Sequence, residues 1–102
     1  MENIRLKLSL ILTQENMNRL DFHEKEGEII VDVHGMKCCE AKRFINNIIN
    51  ISMRKVKITV IHGYNHGTAI RDMIRNGYQN SHIKYVIPDE RNQGVTRIFA
   101  TV

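Results

Sequence analysis

The change of hydrophobic period after residue 35 constrains this chain more than any other feature. Residues Ile29–His34 read Ile-Ile-Val-Asp-Val-His, a β-branched run that suits a half-buried pleated strand. Side chains alternate across a strand, so Asp32 and His34 share one face while Val31 and Val33 share the other. Beyond Gly35 the apolar positions become Ala41, Phe44, Ile45, Ile48 and Ile49, spaced i, i+3, i+4, i+7 and i+8. That is one stripe of a helix, and it predicts a helix over about 38–50. A second strand-like run, Val56–Ile61, follows and ends, as the first does, in His-Gly (His62–Gly63). Strand, helix, strand at this spacing predicts a βαβ unit with two parallel strands and a right-handed crossover.

The same reading extends to the C-terminus. Residues 62–67 form a loop with a glycine near each end, and Thr68 opens a second helix with Ile70, Met73 and Ile74 inward. Asn76–Gly77 reads as its stop. Ile83–Ile87 is a third strand closed by Pro88, and Val95–Val102 a fourth, antiparallel to the third, across a polar loop over 89–94. The expectation is an α/β two-layer sandwich of order βαβαββ, with a four-stranded mixed sheet and both helices on one face. Three strands of one direction send their carboxyl ends to a single edge, where open α/β sheets place ligands. That edge collects His34–Gly35, residues 62–68 and residues 88–94.

Residues 1–28 read as an N-terminal extension, with 29–102 as the domain proper. Ile4, Leu6, Leu8 and Leu10 alternate with Arg5, Lys7 and Ser9, the period of a strand or extended arm. Polar helix or loop then runs to Gly27. An exposed apolar strand is a sticky edge, which suggests a homodimer through this segment.

The 102 residues suffice for one core and one domain. No apolar run approaches the ~20 residues of a bilayer span, and Ile4–Leu12 carries Arg5 and Lys7 and no signal-peptide cleavage pattern. No membrane partner and a cytoplasmic setting are therefore expected. Adjacent Cys38 and Cys39 fit reduced thiols better than a structural disulfide. Net charge is +4, divided as −2 over residues 1–30 and +6 over residues 31–102. The part that carries the His-Gly motifs is thus the basic part, which suits a polyanionic partner.

The motifs resemble those of the small MutS-related (Smr) domain family. Val31-Asp32-Val33-His34-Gly35 is similar to that family's Leu-Asp-Leu-His-Gly motif. Ile61-His62-Gly63, with Gly67-Thr68-Ala69-Ile70-Arg71, resembles its second, glycine-rich motif, although Asn65 and Ala69 stand where the family commonly has glycine. The resemblance covers residues 29–102. It implies a fold similar to the C-terminal domain of bacterial translation initiation factor 3. It also implies nucleic-acid binding and, in several members, nicking of DNA or cleavage of RNA, some of them on messenger RNA at stalled or collided ribosomes. Other members lack demonstrated nuclease activity, so a non-catalytic nucleic-acid or ribosome-binding module is the alternative.

Phosphodiester cleavage needs a proton acceptor and charge stabilisation at phosphorus. His34 is the candidate acid–base group, since histidine as a residue type titrates near neutral pH. Asp32 lies about 7 Å away by strand rise, a separation that does not assure direct contact, so its candidate roles are to orient His34, to fix a loop amide or to meet the His62 imidazole. His62 or His66 would supply the second proton. Gly35, Lys37, Gly63, Tyr64, His66, Gly67, Thr68, Arg71 and Arg91 would line the nucleic-acid path, with Tyr64 placed to stack on a base. RNA is favoured over DNA. No cofactor is implied. Zinc would need His62 and His66 with Cys38 and Cys39, whose spacing is unlike a zinc knuckle. Magnesium would need Asp32, Asp89 and Glu90.

Overall fold

The computed structural model describes residues 4–23, 27–52, 55–63, 68–77 and 80–101. Two short helices, α1 (Ile4–Ser9) and α2 (Gln14–Met17), precede strands β1 (Leu20–His23) and β2 (Glu28–Asp32). Helix α3 (Cys38–Ser52) leads to β3 (Val56–Ile61). Helix α4 (Ala69–Asp72) continues directly into a π-helical turn, Met73–Gly77. Strands β4 (Ile83–Pro88) and β5 (Val95–Ala100) complete the chain. The product is a mixed α+β protein built on one five-stranded sheet of order β1-β2-β3-β5-β4.

Strands β2 and β3 pair in parallel, and every other pairing is antiparallel. The expected parallel pair around α3 is therefore present, as is the antiparallel β4–β5 pair. Because β3 and β4 are both antiparallel to β5, which lies between them, β2, β3 and β4 all run in one direction. Their carboxyl ends share one edge of the sheet.

Two expectations about the N-terminal segment are corrected. The segment of the Leu6-Leu8-Leu10 alternation is a helix up to Ser9 and a turn at Leu10, not a strand: Leu8 is fully buried against the core while Leu6 and Leu10 are exposed. Leucine and lysine are good helix formers, and α1 packs against α3. The run consequently offers no sheet edge to a second copy. Conversely, the stretch expected as polar helix or loop contains β1, the fifth strand, whose Leu20 and Phe22 face the core in alternation with exposed Asp21 and His23. Four residues are too few for that alternation to stand out before β2 is in place to pair with it.

The core lies between one sheet face and the helices. It joins Ile29, Val31 and Val33 of the β2 segment, Val56, Ile58 and Val60 of β3, and Ile98 and Ala100 of β5 to the α3 stripe Ala41, Phe44, Ile45, Ile48 and Ile49. Leu8, Met17 and Leu20 belong to the same cluster, so residues before 28 share the core of the domain. Ile70 and Ile74 seal it beneath the second helix, as their spacing predicts. The opposite face holds Tyr85 edge-on against Phe99, with ring centroids 6.4 Å apart. Beside them Glu28 accepts the Thr59 hydroxyl at 2.6 Å and pairs with Lys57. No helix among the described residues is long and apolar enough to cross a membrane.

Candidate functional site

At the carboxyl edge the chain leaves β2 after Asp32 and turns, with the Met36 N–H donating to the Val33 carbonyl at 3.1 Å. Gly35 takes φ +81° inside this turn, a left-handed conformation that glycine adopts without steric cost. The turn undoes the separation expected from a straight strand. Asp32 Oδ1 accepts the His34 backbone N–H at 3.1 Å and also bonds the His34 ring at Nδ1. A carboxylate only accepts, so Nδ1 carries the proton and Nε2 is the nitrogen left for other chemistry. Of the three roles open to Asp32, it therefore fills two, holding the loop amide and orienting His34. The His34 side chain is 66% exposed and that of Asp32 38%, so the pair is open to a large substrate.

The second His-Gly motif meets the first here. Gly63, at φ +75°, lies beside His34, and a Cβ on it would stand 3.6 Å from the His34 Cβ. The His62 and Gly63 N–H groups both donate to the Gly94 carbonyl, at 2.9 and 3.1 Å, which ties the end of β3 to the start of β5.

His62 itself points inward and is 6% exposed. Its Nδ1 donates to the Gly63 carbonyl at 2.8 Å, which leaves Nε2 to accept the Thr96 hydroxyl at 2.9 Å. Thr96 Oγ1 in turn accepts Arg75 Nε at 3.0 Å. Burial pushes the imidazole pKa down, and the nearby Arg75 and Arg71 charges push the same way, against the Gly63 carbonyl and Asp72. His62 is thus a neutral hub with both ring nitrogens engaged. It presents neither to Asp32 nor to a substrate on the open edge.

Thr68 and Arg71 converge on Asp72 instead of standing open. The Thr68 hydroxyl donates to Asp72 Oδ2 at 2.9 Å, while Arg71 donates through Nε and Nη2 to Oδ1 at 3.2 and 3.1 Å. The Thr68 bond, then that of Arg71, holds the Asp72 carboxyl below the usual range. Lys37 is exposed at the start of α3, its N–H on Glu40 Oε1 at 3.3 Å. Arg91 is exposed in the β4–β5 loop, its N–H on Asp89 Oδ1 at 2.8 Å. Tyr64, His66 and Gly67 lie outside the described residues.

Asp89 does not join Asp32. Arg97 Nη1 takes its Oδ2 at 2.7 Å, and Arg97, followed by the Arg91 and Asn92 amides, keeps its carboxyl pKa low. Among the described residues no three His, Cys, Asp or Glu side chains gather as metal ligands. Cys38 and Cys39 are free.

The edge also contains residues the motifs did not mark. Arg19, ahead of β1, donates through Nη1 to the carbonyls of Asp32 and His34. Thr96 and Arg75 complete the His62 network. Buried Thr96 stands on the apolar face of an alternating strand, which is the one signal a sequence offers for a polar residue with an internal partner. Among known proteins, no family model, no curated protein and no solved structure matches the chain.

Proposed function

We propose that this chain is a nucleic-acid-binding domain of the small MutS-related type that cleaves RNA by histidine acid–base catalysis. The observation that carries the reading is the Asp32–His34 pair, which arises within the Val31–Gly35 motif at the carboxyl edge, engages Nδ1 and leaves the His34 side chain 66% exposed. The finer fold relationship, to the C-terminal domain of translation initiation factor 3, belongs to the same proposal. It draws support from the β2-α3-β3-α4-β4-β5 order.

In this mechanism His34 Nε2 accepts the proton of the ribose 2′-hydroxyl, and the 2′-oxygen attacks phosphorus. Asp32 holds the imidazole in the productive tautomer and stabilises the imidazolium that forms. The bond from phosphorus to the 5′-oxygen breaks, leaving a 2′,3′-cyclic phosphate and a 5′-hydroxyl. The leaving oxygen needs its own proton donor. With both His62 nitrogens engaged internally, His66 is the histidine of the second motif we assign to that step. Gly35, Lys37, Gly63, Tyr64, Gly67, Thr68 and Arg91 would border the nucleic acid, and Arg71 would contribute on leaving Asp72. Structured RNA, including ribosome-bound messenger, is the proposed partner, and the cytoplasm the proposed setting.

The test is cleavage of end-labelled RNA, the same strand with 2′-deoxyribose, and duplex DNA, by the wild type and by His34→Ala. RNA alone should be cut, only by the wild type, with cyclic or 3′-phosphate ends and little effect of EDTA. Equal cutting of the 2′-deoxy strand, or abolition by EDTA, refutes the 2′-hydroxyl mechanism. A wild type that binds RNA and cuts none of the substrates leaves the non-catalytic module in its place.

A further inference from the structure

The N-terminal segment enters the candidate site through the Arg19 side chain. Arg19 immediately precedes β1, and its carbonyl accepts the Asp32 N–H at 2.9 Å, which carries the β1–β2 ladder up to the carboxyl edge. Its side chain then crosses that edge. Nη1 donates to the Asp32 carbonyl at 3.2 Å and to the His34 carbonyl at 3.1 Å. One of those carbonyls lies at the end of β2 and the other within the turn that follows it, where the His34 ring meets Asp32. One belongs to the residue that supplies the carboxylate, the other to the residue that supplies the imidazole.

Other restraints hold the backbone of this turn: Asp32 Oδ1 takes the His34 N–H, the N–H of core residue Val33 donates to the Ile61 carbonyl at 2.9 Å, and the Met36 N–H reaches the Val33 carbonyl. Among the described residues no atom lies within 4 Å of where a Cβ on Gly35 would sit. An exposed imidazole on a glycine-bearing turn loses its aim with small backbone rotations, and misplacement by about 1 Å can cost about 10²-fold in rate. A guanidinium suits the restraint because it is planar, permanently charged and rich in donors. The bond to the Asp32 carbonyl is partly buried, which limits competition from water there, while the bond to the His34 carbonyl lies at the surface.

We propose that Arg19 is a positioning residue for His34. By clamping the Asp32 and His34 carbonyls it keeps Nδ1 on Asp32 and Nε2 turned toward the substrate. The inference rests on the Asp32–His34 pair being the reacting group. It makes the N-terminal segment, which lies outside the motif-bearing region, a working part of the site.

The experiment compares the full-length wild type with Arg19→Gln and Arg19→Lys by RNA cleavage, melting temperature and ¹⁵N NMR of the His34 ring. Arg19→Gln should lower kcat about 10- to 100-fold with KM within about threefold. Its neutral His34 ring should drift from the Nδ1–H form toward the tautomer mixture of free histidine. Arg19→Lys should recover part of both, since an ammonium still reaches a carbonyl, and it serves as the reading variant if Arg19→Gln does not fold. Unchanged kcat and unchanged ring nitrogens overturn the inference, as does a loss of rate that follows melting temperature while the ring signals stay put. A wild type that cleaves nothing refutes the phosphodiester reading alone, because the ¹⁵N comparison still decides whether Arg19 aims the ring.

Discussion

The two histidines that end β2 and β3 have opposite surroundings, and each sets up a different measurement. His34 is open, its Nδ1 on Asp32, so its loss should remove chemistry and leave structure. In single-turnover assays His34→Ala should slow RNA cleavage by on the order of 10²- to 10⁴-fold, with the dissociation constant for RNA changed by no more than a few-fold. His62 is closed, and it is neutral because burial and two arginines disfavour its charged form. Its folded-state pKa lies below the ordinary value of 6.5, so the unfolded chain binds the proton more readily. The stability contributed by the neutral ring is present above pH 6.5 and is lost as pH falls through the lowered folded value. Melting temperature should therefore decline as pH drops below 6.5, before the carboxylates of Glu28, Asp72 and Asp89, all held below their ordinary values, begin to protonate. His62→Gln should flatten that upper limb and leave the acid limb of the carboxylates in place.

Among the elements, α3 and α1 show how unequal local signals lead to equally buried contacts. The α3 stripe is five positions long, and all five positions are buried. Among its described side chains, helix α1 contributes one that is fully buried, Leu8, from a sequence whose alternation suggests a strand. If α1 is part of the core, Leu8→Ala should cost about 2–5 kcal/mol in urea unfolding, the range for a deleted core leucine. Ile45→Ala in α3 should fall in the same range and gives the internal comparison. A Leu8→Ala change within ±0.5 kcal/mol would mark α1 as a peripheral appendage. The second helix widens into a π turn in its latter half, at Met73–Gly77. Arg75 in that turn reaches the Thr96 hydroxyl and, at 3.4 Å, the Val95 carbonyl, so the turn anchors the helix to the start of β5.

For the whole molecule, the Cα radius of gyration of 12.6 Å agrees with the ~13 Å of a single 100-residue domain. The N-terminal residues are thus folded into one body with the rest. Charge is distributed less evenly than mass, with the +6 excess on residues 31–102. If that excess grips phosphates, log affinity for single-stranded RNA should fall linearly with log salt, by about 0.7 per phosphate contacted. Fluorescence anisotropy across a salt series reads the slope directly. Lys37→Ala and Arg91→Ala should each flatten it by about 0.7, since both side chains are exposed. Arg71→Ala should flatten it less, because Asp72 already holds that guanidinium. Affinity that stays level from low to moderate salt would exclude a phosphate-gripping surface.

Periodic signals, where they ran long enough, were sufficient by themselves. The strand 56–61, the strands read as 83–87 and 95–102 and found at 83–88 and 95–100, the α3 stripe and the parallel β2–β3 pair all follow from patterns of five or more residues. The shared carboxyl edge follows from strand direction, whereas the alternation that would place Asp32 and His34 on one face stops at Asp32, the last residue of β2. Tertiary structure decided what depends on residues far apart in the chain. Four-residue β1 becomes a strand only on pairing with β2, and β5 enters between β3 and β4 through partners that no local period encodes. Asp32 touches His34 because the chain turns after Val33, where strand geometry alone would keep them apart. Arg19 reaches that turn across 13 and 15 positions, and His62 is claimed by Thr96 across 34. A hydrophobic period records which face of an element is buried. Which polar groups meet at its end is settled by backbone turns and long-range hydrogen bonds, and these exist only once the sheet has closed.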